Sequence, residues 1–168
     1  PFPDSQYIFK MMAEKKIIIN ADDFGLHKSI NEAVEEAHKR GILTSASLVV
    51  NGEAFDSAVS VSKRNNGLGV GFHLNLISGF PVSQPEKIKT ILDVNGMFLE
   101  NHWQLCLKIL KGEVDIKEII IETRAQLDKL YENGLIPTHI DSHRHLHFFP
   151  PIFEAIQPVL KEYNITRM

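Results

Sequence analysis

Cysteine is nearly absent from this sequence: its one thiol, Cys106, sits in the apolar segment Trp103-Gln104-Leu105-Cys106-Leu107. A single cysteine excludes an internal disulfide framework and a paired Cys-x-x-Cys motif, and its setting is that of a small buried side chain. That usage fits a reducing cytoplasm. Long apolar runs are missing as well. None approaches the roughly 20 residues needed to span a bilayer, and no basic-then-apolar signal peptide opens the chain. Charge of one sign never accumulates, with 18 Lys and Arg against 21 Asp and Glu for a formal charge of −3. Nucleic acid and anionic membranes are therefore not expected partners. There is also no Gly-x-Gly-x-x-Gly, no Walker loop and no Gly-x-Ser-x-Gly elbow, which leaves nucleotide binding and serine-hydrolase chemistry without a basis.

What is present supports one domain. With 168 residues, 43% of them apolar, the chain can build one sizeable core but hardly two. Residues 1 to 11 lack a clear period and read as a leader or tag-like segment, so the domain is expected over 12–168. Lys16-Ile17-Ile18-Ile19-Asn20 predicts a first strand, its unbroken β-branched run being that of a strand covered on both faces. Helical spacing follows from His27 to Arg40, with Gly41 at the C-terminal cap position. Thr44 to Val50 returns to strand composition, Phe55 to Ser62 to helix, and Leu68 to Leu76 to strand. A long connection follows over 77–100. Asn101 to Lys111 reads as helix, and Asp115-Ile116-Lys117-Glu118 as a capping box opening a longer one. Thr138 to Ser142 predicts a fourth strand, Pro150-Pro151 opens a last helix, and Ile165 to Met168 begins a fifth strand. Strand and helix in alternation predict an α/β fold with a parallel sheet, either open or part of a (β/α) barrel.

Three polar clusters fall where strands give way to loops: Asn20-Ala21-Asp22-Asp23, His73-Leu74-Asn75, and His139-Ile140-Asp141-Ser142-His143-Arg144-His145-Leu146-His147. A parallel sheet gathers all strand C-termini on one edge, so distant clusters can meet there. In the last cluster His139, Asp141, His143, His145 and His147 alternate with a period of two, which on an extended backbone sends them to one side. Imidazole with carboxylate is ligation suited to a catalytic divalent metal that keeps open positions. Adjacent Asp22 and Asp23 would be costly to bury without a cation or donors, although one of them could simply cap the following helix. His73 alone has the setting of a core histidine, and its place at a strand end is what gives it weight. Ser142 beside two histidines has no elbow to present it as a nucleophile.

On these residues the sequence resembles the YdjC-like family of carbohydrate deacetylases, which includes chitooligosaccharide deacetylases. The matching stretches are Asn20-Ala21-Asp22-Asp23-Phe24-Gly25-Leu26, Gly41-Ile42-Leu43-Thr44-Ser45, Val50-Asn51-Gly52, Gly71-Phe72-His73-Leu74, and Pro137 through His147. The resemblance implies a (β/α)-barrel-like domain with Asp23, His73 and His143 as ligands of magnesium or zinc and Asp22 as general base. It implies removal of an N-acetyl group from an amino-sugar, with an N-acetylated sugar as substrate; an unpaired final strand would leave an open edge of the kind that recruits another chain, so a homodimer is a possible assembly. His145 or His147 is the expected source of the proton for the departing amine. Family members extend beyond this chain with a late His-Pro-Gly motif, so the barrel is expected to be incomplete at its C-terminus. Two other readings stay open: a shortened, inactive domain that binds sugar or metal, and a different metallohydrolase such as a phosphoesterase.

Overall fold

The computed structural model of the protein describes residues 16–168, and the leader expected at 1–11 lies outside the described residues. Strands β1 (Asn20–Phe24), β2 (Ser45–Leu48), β3 (Gly69–Leu74) and β4 (Ile140–Ser142) form one sheet in the order β1-β2-β3-β4. Every neighbouring pair is parallel. Helices α1 (Lys28–Arg40) and α2 (Phe55–Arg64) make the first two crossovers, α3 (His102–Leu110) and α4 (Ile116–Glu132) lie in the third, and α5 (Pro150–Glu162) follows β4. An order that runs on without reversal is the winding of a (β/α) barrel, whereas a doubly wound sheet reverses at a switch point. Among the described residues the sheet is open at β1 and β4. Residues 165–168 form no strand, but Ile140 N–H donates to the Arg167 carbonyl at 3.0 Å, so the tail lies alongside β4.

The first strand lies one step later than its β-branched run. Ile17 and Ile18 are 76% and 79% exposed, and pairing begins where the Ile19 carbonyl accepts from Thr44 and Ser45 N–H at 3.1 and 3.0 Å. The strand proper is Asn20-Ala21-Asp22-Asp23-Phe24. Its residues are polar because one face of this sheet is not an apolar contact.

Register shows this directly. Ala46, Val70 and, one step on, Leu48, Phe72 and Ile140 stand side by side on one face, while Asn20 with Ser45, Ser47 with Gly71, and His73 with Asp141 share the other. Because strand side chains alternate, a parallel sheet in register sorts its residues into an apolar and a polar face. The apolar face meets the helices. Leu48, Phe72, Ile119, Leu127, Leu130 and Ile156 are fully or almost fully buried in one continuous core. Burial of each such side chain contributes roughly 1.5–3 kcal/mol.

Helix starts follow local chemistry. Asn101 Oδ1 accepts from Trp103 N–H at 3.0 Å to cap α3, and Asp115 Oδ1 accepts from Lys117 N–H at 3.0 Å to cap α4. The capping box is not closed as expected. Glu118 instead accepts from Thr90 N–H and Oγ1 at 2.7 and 2.6 Å, and Thr90 Oγ1 accepts from Asp115 N–H at 3.0 Å. The carboxylate thereby ties α4 to the long connection. Deeper in α4 the fully buried Glu122 accepts from Val82 and Ser83 N–H, both at 2.9 Å, and from Gln126 Nε2 at 2.7 Å. Gln126 in turn donates to the Asn75 carbonyl at 2.7 Å, which anchors the exit of β3.

On the polar face His139 lies over Gly71, where an added Cβ would stand 2.3 Å from the imidazole. The ring has little freedom to retreat, since Nδ1 is 2.9 Å from Thr138 Oγ1 and Nε2 is 3.2 Å from Ser47 Oγ. Gly71→Ala is expected to lower stability by about 1–3 kcal/mol, the usual cost of overpacking. Denaturant unfolding measures this, and an unchanged midpoint would contradict the packing described.

Candidate metal centre

A bulge in β1 builds the first part of the site. Ala21 pairs with Ala46 and Phe24 with Leu48, so two residues, Asp22 and Asp23, stand opposite the single Ser47. Asp23 takes a left-handed conformation with φ 61°, which aspartate tolerates better than most residues. In a regular strand adjacent side chains would point to opposite faces. Here both carboxylates line the same cavity. The turn beyond is pinned by the buried Asn31, which accepts from Gly25 N–H at 2.7 Å and donates to the Ala54 carbonyl at 3.0 Å. A Cβ on Gly52 would come within 2.2 Å of the Gly25 carbonyl, so the two loops can touch backbone to backbone only with glycine there.

The second part comes from β3 and β4. His73, 2% exposed, pairs across the sheet with Asp141, and its Nδ1 donates to Asp141 Oδ1 at 2.6 Å. That bond fixes the tautomer and turns the Nε2 lone pair toward Asp23, whose Oδ1 is 3.4 Å away. His143 Nδ1 approaches the same oxygen at 2.9 Å. The ligand atoms of Asp23, His73 and His143 all lie within 4.8 Å of one another. One oxygen and two imidazole nitrogens converging from three strand ends, with one ring held from behind by a carboxylate, fit a catalytic divalent cation that retains open positions.

Asp22, His73 and Asp141 meet the same distance criterion. Asp141 is otherwise engaged, however. Its second oxygen accepts from the Ser47 hydroxyl at 2.6 Å, and Ser47 Oγ accepts in turn from Asn20 Nδ2 at 2.8 Å. Since Ser47 has spent its one proton on Asp141, His139 Nε2 is the donor in the 3.2 Å contact with Ser47. Burial pushes the Asp141 carboxyl up, but the hydrogen bond and charge of His73, the Ser47 bond and the charge of His139 outweigh it, so the pKa falls below the usual carboxylate value. Asp141 is an ionised orienting group for His73.

The histidine cluster does not continue as an extended strand. After Ser142 the chain enters a 3-10 segment, His143–Phe148, with left-handed Arg144 (φ 57°) and His145 (φ 55°). The expected alternation therefore ends at Ser142. Its hydroxyl lies 2.6 Å from His147 Nδ1 and accepts from His147 N–H at 2.9 Å, which closes the turn. His147 is buried, and burial holds its imidazole below the usual value. Exposed His145 lines the cavity, whereas His147 does not.

Asp22, Asp23, His73, His143, Arg144 and His145 thus surround a cavity of about 500 Å³ that Ser142 and His102 complete. Asp22 accepts from Asn20 Nδ2 at 3.0 Å at its edge. Ser47 and His102 are contributions that the sequence did not single out, whereas Asp141 belongs to the alternating cluster and gains its place on His73 only in the structure. Asp141 was legible as the cross-strand neighbour of His73 once register was known. Ser47 and His102 carried no signal of their own.

Comparisons with known proteins identify the chain's relatives. A carbohydrate deacetylase of Clostridium beijerinckii is 41% identical over 150 residues, covering 89% of this chain and 58% of the relative. A chitooligosaccharide deacetylase of Escherichia fergusonii is 38% identical over 154 residues, covering 91% of this chain and 58% of the relative. The chain therefore spans less than two thirds of these relatives' length. A crystal structure from Enterococcus faecalis V583, of a protein proposed to cleave cellobiose-phosphate, superposes with a TM-score of 0.81 at 28% identity, covering 92% of this chain and 59% of that one. The family model described as YdjC-like protein matches residues 16–168, and the chain belongs to that family.

Proposed function

We propose that the cavity is the active site of a metal-dependent deacetylase that hydrolyses the N-acetyl group of an amino-sugar, such as a chitooligosaccharide. The observation that carries this reading is the convergence of Asp23, His73 and His143, with Asp22 beside them on the same wall. Relatives named carbohydrate and chitooligosaccharide deacetylase supply the substrate class. Asp23 Oδ1, His73 Nε2 and His143 Nδ1 would hold the ion, and two imidazoles favour zinc over magnesium. The ion's chemistry is Lewis-acid polarisation of a carbonyl and activation of water.

The chain's own residues account for the proton movements. Asp22 accepts a proton from the attacking water as its oxygen bonds to the acetyl carbon. His145 delivers a proton to the nitrogen as the carbon–nitrogen bond breaks, leaving acetate and a free amine. His147, turned into the core, holds the turn that aims His145. Asp141 and Ser47 keep His73 oriented. A homodimer through the open sheet edge and a cytoplasmic setting belong to this proposal, the latter supported by the single cysteine. Among the described residues no helix is long and apolar enough to cross a membrane.

Acetate release from N-acetylglucosamine oligomers should stop on chelation and return with added divalent ion. His143→Ala and Asp23→Asn should each lower kcat/KM by about a hundredfold or more, the scale of losing a metal-centred contribution. Turnover indifferent to chelator would remove the metal mechanism.

The orienting carboxylate has its own readout. Asp141→Asn should weaken zinc binding by about 10–100-fold in calorimetric titration, as loss of an outer-shell partner does, and Ser47→Ala should weaken it less. Unaltered zinc affinity in Asp141→Asn would show that His73 does not depend on that carboxylate.

A further inference from the structure

Trp103 is the only tryptophan of the chain, and it stands 68% exposed near the start of α3. Tryptophan is highly buried on average, so an indole this open departs from its usual placement. Its placement is fixed. Asn101 accepts its backbone N–H at 3.0 Å, and Leu105, two residues on, is fully buried and holds the helix to the core. His102, which belongs to the wall of the metal cavity, packs its ring against the indole with centroids 4.9 Å apart and planes inclined by 40°. Trp103 also lines a groove of about 560 Å³ together with Asn101, Gln104, Leu107, Lys108, Lys111 and Glu113. The cavity and the groove are thus neighbours across the His102–Trp103 pair.

We propose that Trp103 is the stacking platform of a second sugar subsite, which receives the ring adjacent to the one that loses its acetyl group. This rests on the deacetylase reading given above. A pyranose offers an apolar C–H face and a rim of hydroxyls. An exposed indole bordered by amide, ammonium and carboxylate groups matches both features, and aromatic walls with a few polar groups are the usual make-up of ligand sites. Trp103, Leu107 and Leu110 are all exposed on α3 and would also suit a second copy of the chain. The groove argues against that occupant, because Lys and Glu are depleted at the centres of protein interfaces and Lys108, Lys111 and Glu113 line this one. The His102–Trp103 ring contact, which sets the groove beside the metal cavity, favours the sugar.

The lone tryptophan makes the test direct. Emission of the full chain, loaded with zinc, is followed while N-acetylglucosamine or its β-linked dimer or trimer is added, and acetate release is measured on the same samples. The dimer and trimer should shift Trp103 emission and bind more tightly than the monosaccharide. Trp103→Ala should cut that oligomer-over-monomer advantage by about tenfold, equivalent to one lost stacking contact, and Trp103→Phe should restore part of it. Circular dichroism melting verifies that both variants are folded. Acetate release with no emission change and an unaltered oligomer preference in Trp103→Ala overturns the platform while leaving the deacetylase reading intact. No acetate release and no sugar binding overturns that reading and the platform with it. Emission that follows protein concentration and ignores sugar assigns the surface to a second copy and overturns the proposal.

Discussion

The hydrogen bond between His73 and Asp141 is the hinge of this structure. It exists because β3 and β4 pair in parallel with these two residues in register, and the alternation of a strand then commits every second residue of both strands to the same face. Phe72, Leu74 and Ile140 are thereby directed to the helices, while Gly71, His73 and Asp141 share the sheet's polar face. A slip of one residue would bury Asp141 against the core and push Phe72 onto the polar face. Core and site are thus two faces of the same pairing.

The same constraint explains the unusual backbone. Regular alternation would separate Asp22 from Asp23, and a bulge opposite Ser47 brings both to one cavity at the cost of a left-handed Asp23. Beyond β4 the chain must turn sharply after Ser142 for His143 to approach Asp23, and left-handed Arg144 and His145 are the means. Ser142 and His147 secure that turn from inside the core. Strained conformations concentrate where the cavity is built, and the surrounding hydrogen bonds hold them.

Much of this could be read from the amino-acid order, because strand-helix alternation and clustered polar residues are local signals. Parallel topology and the meeting of three polar clusters at one sheet edge follow from such signals, whereas the choice of Asp23, His73 and His143 among the clustered residues came from the family resemblance. The first strand was misplaced because Ile17-Ile18-Ile19 has the stronger strand composition, yet pairing selects the polar segment that follows it. The period-two reading of the histidines failed after Ser142 because nothing in His-Arg-His announces two left-handed residues. Ser47 was invisible, since a serine acquires meaning only from the cross-strand partners Asn20, His139 and Asp141. The capping box at Asp115 failed for a similar reason: Glu118 found a non-local partner in Thr90.

In the proposed site one ion joins three strand ends through Asp23, His73 and His143. Anomalous diffraction at the zinc edge from crystals of the zinc-loaded protein tests it most directly. A peak is expected bonded to Asp23 Oδ1, His73 Nε2 and His143 Nδ1 at about 2.0–2.2 Å, with Asp141 remaining on His73 Nδ1. A peak bonded instead to Asp22 and Asp141, with Asp23 and His143 uninvolved, would contradict it.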